Sequence, residues 1–144
     1  MKKFICLFAS IMLLLTLASC SKDADNSSVS NEDPISLAKF LDNEGYSVKM
    51  IVDDEEIKEF ANEFNVRAKG IYCLFIAAPD EYEYEKMGVF VYCESIEIAQ
   101  TMAEDLQEFV DENEDFDEEV DRGIVERKDN LVFIGCEDAW EDAQ

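Results

Sequence analysis

The chain contains no histidine among its 144 residues. Without imidazole it cannot form a Ser-His-Asp triad, a Cys-His nucleophile pair or a histidine general base. The same absence excludes the usual imidazole sites for zinc and copper. Several large classes of enzyme and metal centre are therefore excluded by composition alone.

Glycine and proline are also scarce, with five and two residues. No Gly-x-Ser-x-Gly, P-loop or dinucleotide-binding glycine pattern is present. Loops that cradle phosphate groups depend on closely spaced glycines, so we expect no nucleotide site of those kinds and no cofactor.

Basic residues are few: 12 Lys and Arg stand against 35 Asp and Glu, which gives a net charge of −23 at pH 7. A field of this sign repels phosphate backbones and anionic lipid headgroups. We therefore expect no nucleic-acid partner and no electrostatic docking on a membrane. The field attracts cations, divalent metals and basic peptides, although solubility outside the cell is the simpler interpretation.

The one long uncharged run lies at the amino end, from Phe4 to Ser19, behind Met1-Lys2-Lys3. A positive amino end, an apolar stretch and small residues at its close are typical of a secretory signal peptide. The run is shorter than the roughly 20 residues that a spanning helix needs. The lysines should stay on the cytoplasmic side, so the rest of the chain is predicted to be exported.

Leu17-Ala18-Ser19-Cys20, which closes this run, resembles the lipobox of bacterial lipoproteins at all four positions. The resemblance implies a diacylglyceryl thioether on Cys20 and cleavage between Ser19 and Cys20. Two or more acyl chains hold a protein stably on a membrane. The implied location is the extracytoplasmic face of the cell membrane. The outer membrane is an option in a Gram-negative envelope, because Ser21 is not the Asp that favours inner-membrane retention. The alternative is an ordinary signal peptide with an incidental cysteine.

Three regions follow from this interpretation: a signal peptide at 1–19, the lipidated cysteine with a polar linker at 20–33, and one small domain at 34–144. Lys2 and Lys3 leave with the signal peptide. Ten basic residues then remain beside all 35 acidic ones, so the mature chain carries a net charge of −25.

Hydrophobic periodicity, caps and turn residues predict four helices and five strands in the domain. The helices start at Pro34, after Asp53, after Ser95 and after Cys136, and the strands are Tyr46–Val52, Gly70–Ala78, Gly88–Cys93, Ile124–Arg127 and Leu131–Gly135. From Tyr46 the order is βαββαβ with one further strand and helix. That order fits an α+β fold of the ferredoxin-like type, with about five mostly antiparallel strands and helices on one face.

A helix-strand-strand order occurs twice, and each copy ends in a similar turn, Cys93-Glu94-Ser95-Ile96 and Cys136-Glu137-Asp138-Ala139. The echo indicates either a duplication or the ordinary preference of helix starts for acidic and capping residues.

Three cysteines follow Cys20, namely Cys73, Cys93 and Cys136, and each lies in an apolar run without CxxC spacing. Buried thiols of this kind usually act as small hydrophobic residues. If Cys73 faces Cys93 across the predicted hairpin, the two form a cross-strand disulfide.

From Asp111 onward, side chains that carry oxygen fall at the first alternating positions of a calcium loop: Asp111, Asn113, Asp115, Asp117 and Glu119. An EF-hand is excluded, because Phe116 stands where glycine is needed and Arg122 stands where a bidentate Glu is needed. The remaining possibility is a loose divalent-cation site at Asp111, Asp115 and Asp117. The alternative is that these residues form a solvated loop.

Four tyrosines surround the predicted hairpin: Tyr72, Tyr82, Tyr84 and Tyr92. In an acidic setting their rings could hold a basic peptide or a cationic ligand by cation–π contact. The alternative is ordinary cross-strand packing.

The function expected from these features is a membrane-anchored extracytoplasmic lipoprotein with an acidic, non-enzymatic binding domain. Its partner would be a protein or a cationic ligand. One alternative is a calcium-responsive module. Another is a carboxylate-based hydrolase, although 35 acidic residues give carboxylate pairs by chance and no spacing marks a catalytic pair.

Overall fold

The computed structural model describes residues 33–79, 86–113 and 123–144. Its helices are α1 (Pro34–Asn43), α2 (Asp54–Glu63), α3 (Ile96–Glu112) and α4 (Glu137–Asp142). Its strands are β1 (Tyr46–Ile51), β2 (Ile71–Pro79), β3 (Gly88–Cys93), β4 (Gly123–Lys128) and β5 (Leu131–Cys136). Every predicted element of the domain is present, with ends that differ by one or two residues.

Three helices begin at the side-chain caps that the sequence predicts. The Asp33 carboxylate accepts hydrogen bonds from the first-turn N–H groups of α1, and Asp53 does the same for α2. Ser95 Oγ accepts a bond of 3.3 Å from the Ile98 N–H in α3. Such caps satisfy N–H groups that have no partner inside the helix. These starts are therefore determined locally.

The five strands form one sheet in the order β1-β2-β3-β5-β4, and each neighbouring pair is antiparallel. The α+β class and the five-stranded antiparallel sheet are thus confirmed. Strand β1 forms one edge of the sheet and β4 forms the other.

The ferredoxin-like strand order is present in one half of the sheet only. That order needs two split βαβ units, each with a third strand between its two parallel strands. In the second half, β3 and β4 are parallel, enclose β5 and are joined by α3. In the first half, β1 lies antiparallel beside β2. Asn65 has a φ of 53° and Val66 N donates to Ala61 O (2.8 Å), so the chain reverses at the end of α2.

Helices cover both faces of the sheet, so the prediction of helices on one face is wrong. All six residues of β3 and all six of β5 are buried. Strands that are apolar nearly throughout need cover on both sides. We name the two sides the α2/α3 face and the α1/α4 face after the helices that pack on them.

Contacts between aromatic rings connect the elements on each face. On the α2/α3 face, the ring centroids of Phe60 and Phe64 lie 4.7 Å apart, and those of Phe64 and Phe109 lie 5.1 Å apart, which joins α2 to α3. On the α1/α4 face, Phe133 of β5 packs against Trp140 of α4 with centroids 5.3 Å apart. A row of rings continues across that face through Phe133, Phe90 and Phe75.

A side-chain hydrogen bond joins the first strand of the domain to its last helix. Tyr46 Oη in β1 donates a hydrogen bond of 2.7 Å to Asp142 Oδ2 in α4. Lys86 Nζ lies 3.9 Å from the same carboxylate oxygen. The last helix is therefore tied to the first strand as well as to the core.

The sequence echo corresponds to a two-fold arrangement of the hairpins β2-β3 and β4-β5. Cys93 N donates to Asn130 O, and Cys136 N donates to Met87 O, both at 2.9 Å. Cys93 corresponds to Cys136, and Met87 corresponds to Asn130, with a separation of 43 positions in both cases. Exchanging the two hairpins therefore converts each of these hydrogen bonds into the other. The symmetry ends at the helices that follow, because α3 and α4 lie on opposite faces.

Candidate functional site

The residues predicted to carry the lipid, Ser19 and Cys20, lie outside the described part of the chain, which begins at Asp33. None of the described helices is long and apolar enough to cross a bilayer. The lipid anchor stays a prediction from the sequence.

Only one of the three candidate calcium ligands falls in the described residues. Asp111 lies exposed near the end of α3, where its carboxylate accepts a hydrogen bond of 2.9 Å from Gln107 Nε2. Asp115 and Asp117 lie outside the described residues. Across 33–79, 86–113 and 123–144, no group of three or more carboxylate or thiol side chains could hold a metal ion. The described residues therefore assemble no cation site around Asp111.

The predicted disulfide between Cys73 and Cys93 is wrong. Cys73 lies opposite Tyr92 in the β2-β3 pair, whereas Cys93 lies opposite Ile71. Successive side chains on a strand point to opposite faces, so this one-residue offset places the two thiols on opposite sides of the sheet. Both are free and buried, as is Cys136.

Burial raises the pKa of all three thiols, that of Cys93 to about 11. A nucleophilic cysteine needs the opposite, an accessible thiol with a lowered pKa. The three residues pack as small apolar side chains.

The structure separates the predicted tyrosine group. Tyr92 is fully buried, and its ring lies 6.1 Å from that of Phe75 on the α1/α4 face. Tyr72 is 41% exposed, with its ring 6.2 Å from that of Tyr92. Tyr82 and Tyr84 lie outside the described residues. Of the tyrosines described, Tyr72 is thus the one available to a ligand, while Tyr92 packs in the core.

Three segments converge around Tyr72. Burial raises its pKa, a hydrogen bond with the Asn130 side chain lowers it, and the Asp33 carboxylate adds to the rise. Burial also raises the pKa of Tyr92, again with a contribution from Asp33. Asn130 Nδ2 donates to Cys93 O at 2.9 Å. The start of α1, the start of β2 and the β4-β5 turn therefore meet at one end of the sheet.

Four large apolar side chains are exposed at this same end, which we call the apolar end. They are Ile35 (53% exposed), Val52 (65%), Tyr72 (41%) and Ile96 (54%).

The strand register places Val52, Tyr72 and Ile96 at the same end of the sheet. Ile51, the last residue of β1, lies opposite Leu74 near the start of β2, and Ile71 lies opposite Cys93 at the end of β3. Val52 directly follows β1, and Ile96 opens α3 three residues after Cys93.

Carboxylates surround the apolar end. Asp33 precedes Ile35, Asp53 follows Val52, and Glu94 and Glu97 flank Ile96, all of them exposed. The apolar end thus combines exposed apolar side chains with exposed carboxylates next to them in the sequence, which we call its acidic rim. Exposed apolar groups rimmed by polar residues are typical of contacts with proteins or with membranes.

Sequence reasoning missed this surface because it assigned the wrong face to the end of β1. Alternation predicts that Val52 is buried together with Tyr46. In the structure Tyr46 and Ile51 are buried, and Val52 is the most exposed of the large apolar residues described. Lys49, which shares its face with Ile51, forms an ion pair of 3.6 Å with Glu56 of α2. Helix α2 therefore covers the face of Ile51 and not that of Val52.

The other exposed residues gave different signals. Ile35 lies two residues before Leu37 and therefore outside the buried stripe of α1, which contains Leu37, Ala38 and Leu41. Helical periodicity alone can predict that Ile35 is exposed. Ile96 lies three residues before Ala99, in line with the buried stripe of α3, and is nevertheless exposed. Its position in the first turn of the helix, beyond the end of the sheet, is visible only in the fold.

Comparison of the chain with protein-family models, with curated proteins and with solved structures found no match.

Proposed function

We propose that the chain is a lipid-anchored protein of the cell envelope whose domain binds a partner rather than catalysing a reaction. The observation that carries the proposal is Leu17-Ala18-Ser19-Cys20 at the close of an apolar run, followed by a polar stretch. The first helix begins at the Asp33 cap, which leaves residues 21–32 as the spacer between lipid and domain. Cys20 carries the lipid and becomes the first residue of the mature chain.

The chemistry of the described residues supports a binding role. The thiols are buried and hold their protons near neutral pH, because burial raises their pKa values. The chain supplies no imidazole for proton transfer. The apolar end is an exposed surface, whereas ligand sites for small substrates are usually concave.

The outer faces of α2 and α3 indicate the chemistry of a partner. Glu55 and Glu59 of α2 are exposed, as are Glu104, Glu108 and Asp111 of α3. Charge complementarity speeds encounter and suppresses partners of like charge. A protein with a basic surface, or another cationic ligand, is therefore the favoured partner.

Replacing the lipidated cysteine tests the proposal. In cells fed an alkyne analogue of palmitate, the wild-type chain takes up label and stays in alkali-washed membranes. Cys20→Ser loses the label and leaves the washed membranes, because a chain without its acyl groups has only the short signal run to hold it. Cys6→Ser, within the signal peptide, is the matched control and keeps both properties. A Cys20→Ser protein that stays as firmly bound as the control contradicts the lipid anchor.

A further inference from the structure

We propose that the apolar end is the surface on which the domain rests against the lipid bilayer. This inference depends on the proposed lipid anchor and adds an orientation to it. Four of the five large apolar side chains exposed in the described residues lie at this end, and the fifth, Met50, is two residues from Val52. The chain leaves the domain at the same end, through Asp33, on its way to Cys20.

The position of the tether supports this orientation. Twelve residues, 21–32, separate Cys20 from Asp33, so the chain between these two residues can span at most about 45 Å. Strand β2, with nine residues, is about 30 Å long at 3.3 Å per residue. The lipid is attached through the end that carries Asp33, whereas Glu44 lies at the opposite end of the domain.

The contact must be hydrophobic, because the charge of the domain opposes any other kind. Ile35, Val52 and Ile96 present aliphatic carbon. Tyr72 presents an apolar ring with a polar tip, a combination suited to the boundary between water and lipid. The rim of Asp33, Asp53, Glu94 and Glu97 repels anionic headgroups, so the surface fits a bilayer rich in zwitterionic lipid.

A weak contact is sufficient here. The lipid anchor has already placed the domain at the bilayer, so docking is intramolecular in effect and proceeds at a high effective concentration. A second copy is a poorer occupant, because each mature chain carries a net charge of −25. A protein partner at this end would have to fit between the domain and the membrane within the reach of the tether.

An environment-sensitive probe tests the docking. Val52→Cys is labelled with nitrobenzoxadiazole on the lipidated protein in phosphatidylcholine vesicles, and Glu44→Cys at the other end of the sheet is the matched control. The native thiols at 73, 93 and 136 are buried with raised pKa values, so labelling near pH 7 goes to the introduced cysteine. Interfacial groups reach about 5–10 Å into the boundary of headgroups and acyl chains. Brominated acyl chains should quench the probe at position 52 by at least half and leave position 44 unchanged.

Two further arms identify the cause of quenching. Ile96→Asp, added to the Val52→Cys protein, should abolish quenching while the protein still sediments with the vesicles. Ile96 is 54% exposed, so its replacement should leave the unfolding midpoint nearly unchanged. Phosphatidylglycerol vesicles at low salt should weaken the quenching, and added salt should restore it.

The outcomes separate the docking from the anchor. Equal, weak quenching at positions 52 and 44 in a protein that sediments with vesicles overturns the docking and leaves the anchor intact. A probe at position 52 that is shielded from iodide but not reached by brominated lipid also overturns it, and means that a protein or a second copy covers this end. A protein that does not sediment with vesicles at all overturns both proposals.

Discussion

Gly135→Ala should destabilise the domain by roughly 2–5 kcal/mol, a large part of the 5–15 kcal/mol that holds a typical domain folded. Gly135 lies in β5 with a φ of 156°, opposite Gly88 in β3. A Cβ at this position would overlap the Met87 carbonyl oxygen and lie 2.6 Å from Gly88 Cα. That carbonyl accepts the Cys136 N–H at 2.9 Å, so it cannot move aside without weakening a sheet hydrogen bond.

Gly45→Ala is the matched control for this prediction. Gly45 has a φ of 96°, and a Cβ there would meet nothing within 4 Å. Its replacement therefore adds backbone strain without a clash and should cost only about 1–2 kcal/mol. Urea titrations of the mature chain and the two variants measure the difference. Equal losses at the two positions would mean that β3 and β5 are not packed as closely as the structure shows.

Raising the pH from 9 to 11 should cause the second large loss of stability. Burial raises the pKa of Tyr46 and of Tyr92 in the folded chain, and the hydrogen bond to Asp142 adds to the rise for Tyr46. The thiols of Cys73, Cys93 and Cys136 are raised by burial in the same way. Each of these five groups is neutral when protonated, and the core favours that form.

The sign of the effect follows from proton binding. In the unfolded chain thiols ionise near pH 9.0 and tyrosines near pH 10.0, whereas in the folded chain Cys93 ionises at about 11. At a pH between the unfolded and the folded pKa of a group, the folded state binds more protons than the unfolded state. The free energy of unfolding therefore falls as the pH rises through that range. The contribution of each group is complete below its unfolded pKa. The loss reaches at most about 1.4 kcal/mol per pH unit for each group.

Urea titrations of the mature chain at several pH values measure this slope, with Cys93→Ala as the comparison. Removing one buried thiol should reduce the slope of the free energy of unfolding against pH by the contribution of at most one proton. The other four groups remain in place. A free energy of unfolding that stays flat from pH 9 to 11 would contradict the buried, neutral state of these side chains. So would a Cys93→Ala slope as steep as that of the wild type.

Local features of the sequence were sufficient to predict the elements of the domain. Asp33, Asp53 and Ser95 cap helices because their side-chain oxygens accept N–H groups a few residues away, and that chemistry does not depend on the rest of the fold. Ile57, Phe60, Ala61 and Phe64 recur at helical spacing and are all buried in α2 or at its end. Interactions of this range can be inferred from neighbouring residues.

Strand order and the cover of the two faces depend on long-range packing and were predicted less well. Nothing local requires β1 to lie beside β2, because its edge position depends on the reversal at Asn65 and on how α2 packs. The apolar runs of β3 and β5 did contain a usable signal. Strands without polar alternation are buried on both sides, which already argues against helices on a single face.

The candidate surface was the least predictable feature. Tyr72 was singled out from the sequence as part of a tyrosine group, yet its neighbours at the apolar end come from α1, β1 and α3. Side chains separated by tens of residues lie at the same end of the sheet because of the register of β1, β2 and β3. No spacing in the sequence indicates that register. The two cysteines of the hairpin were misplaced for the same reason, since one residue of register decides which face a side chain takes.

The lipid on Cys20 is measured most directly by mass spectrometry of the amino-terminal peptide of the mature protein. If Cys20 is the lipidated first residue, trypsin releases a peptide from Cys20 to Lys22 whose mass is increased by a diacylglyceryl thioether. A mature chain that begins at another residue, or that carries Cys20 as an unmodified thiol, would contradict the anchor. The apolar end would then belong to an exported domain that no lipid holds at the membrane.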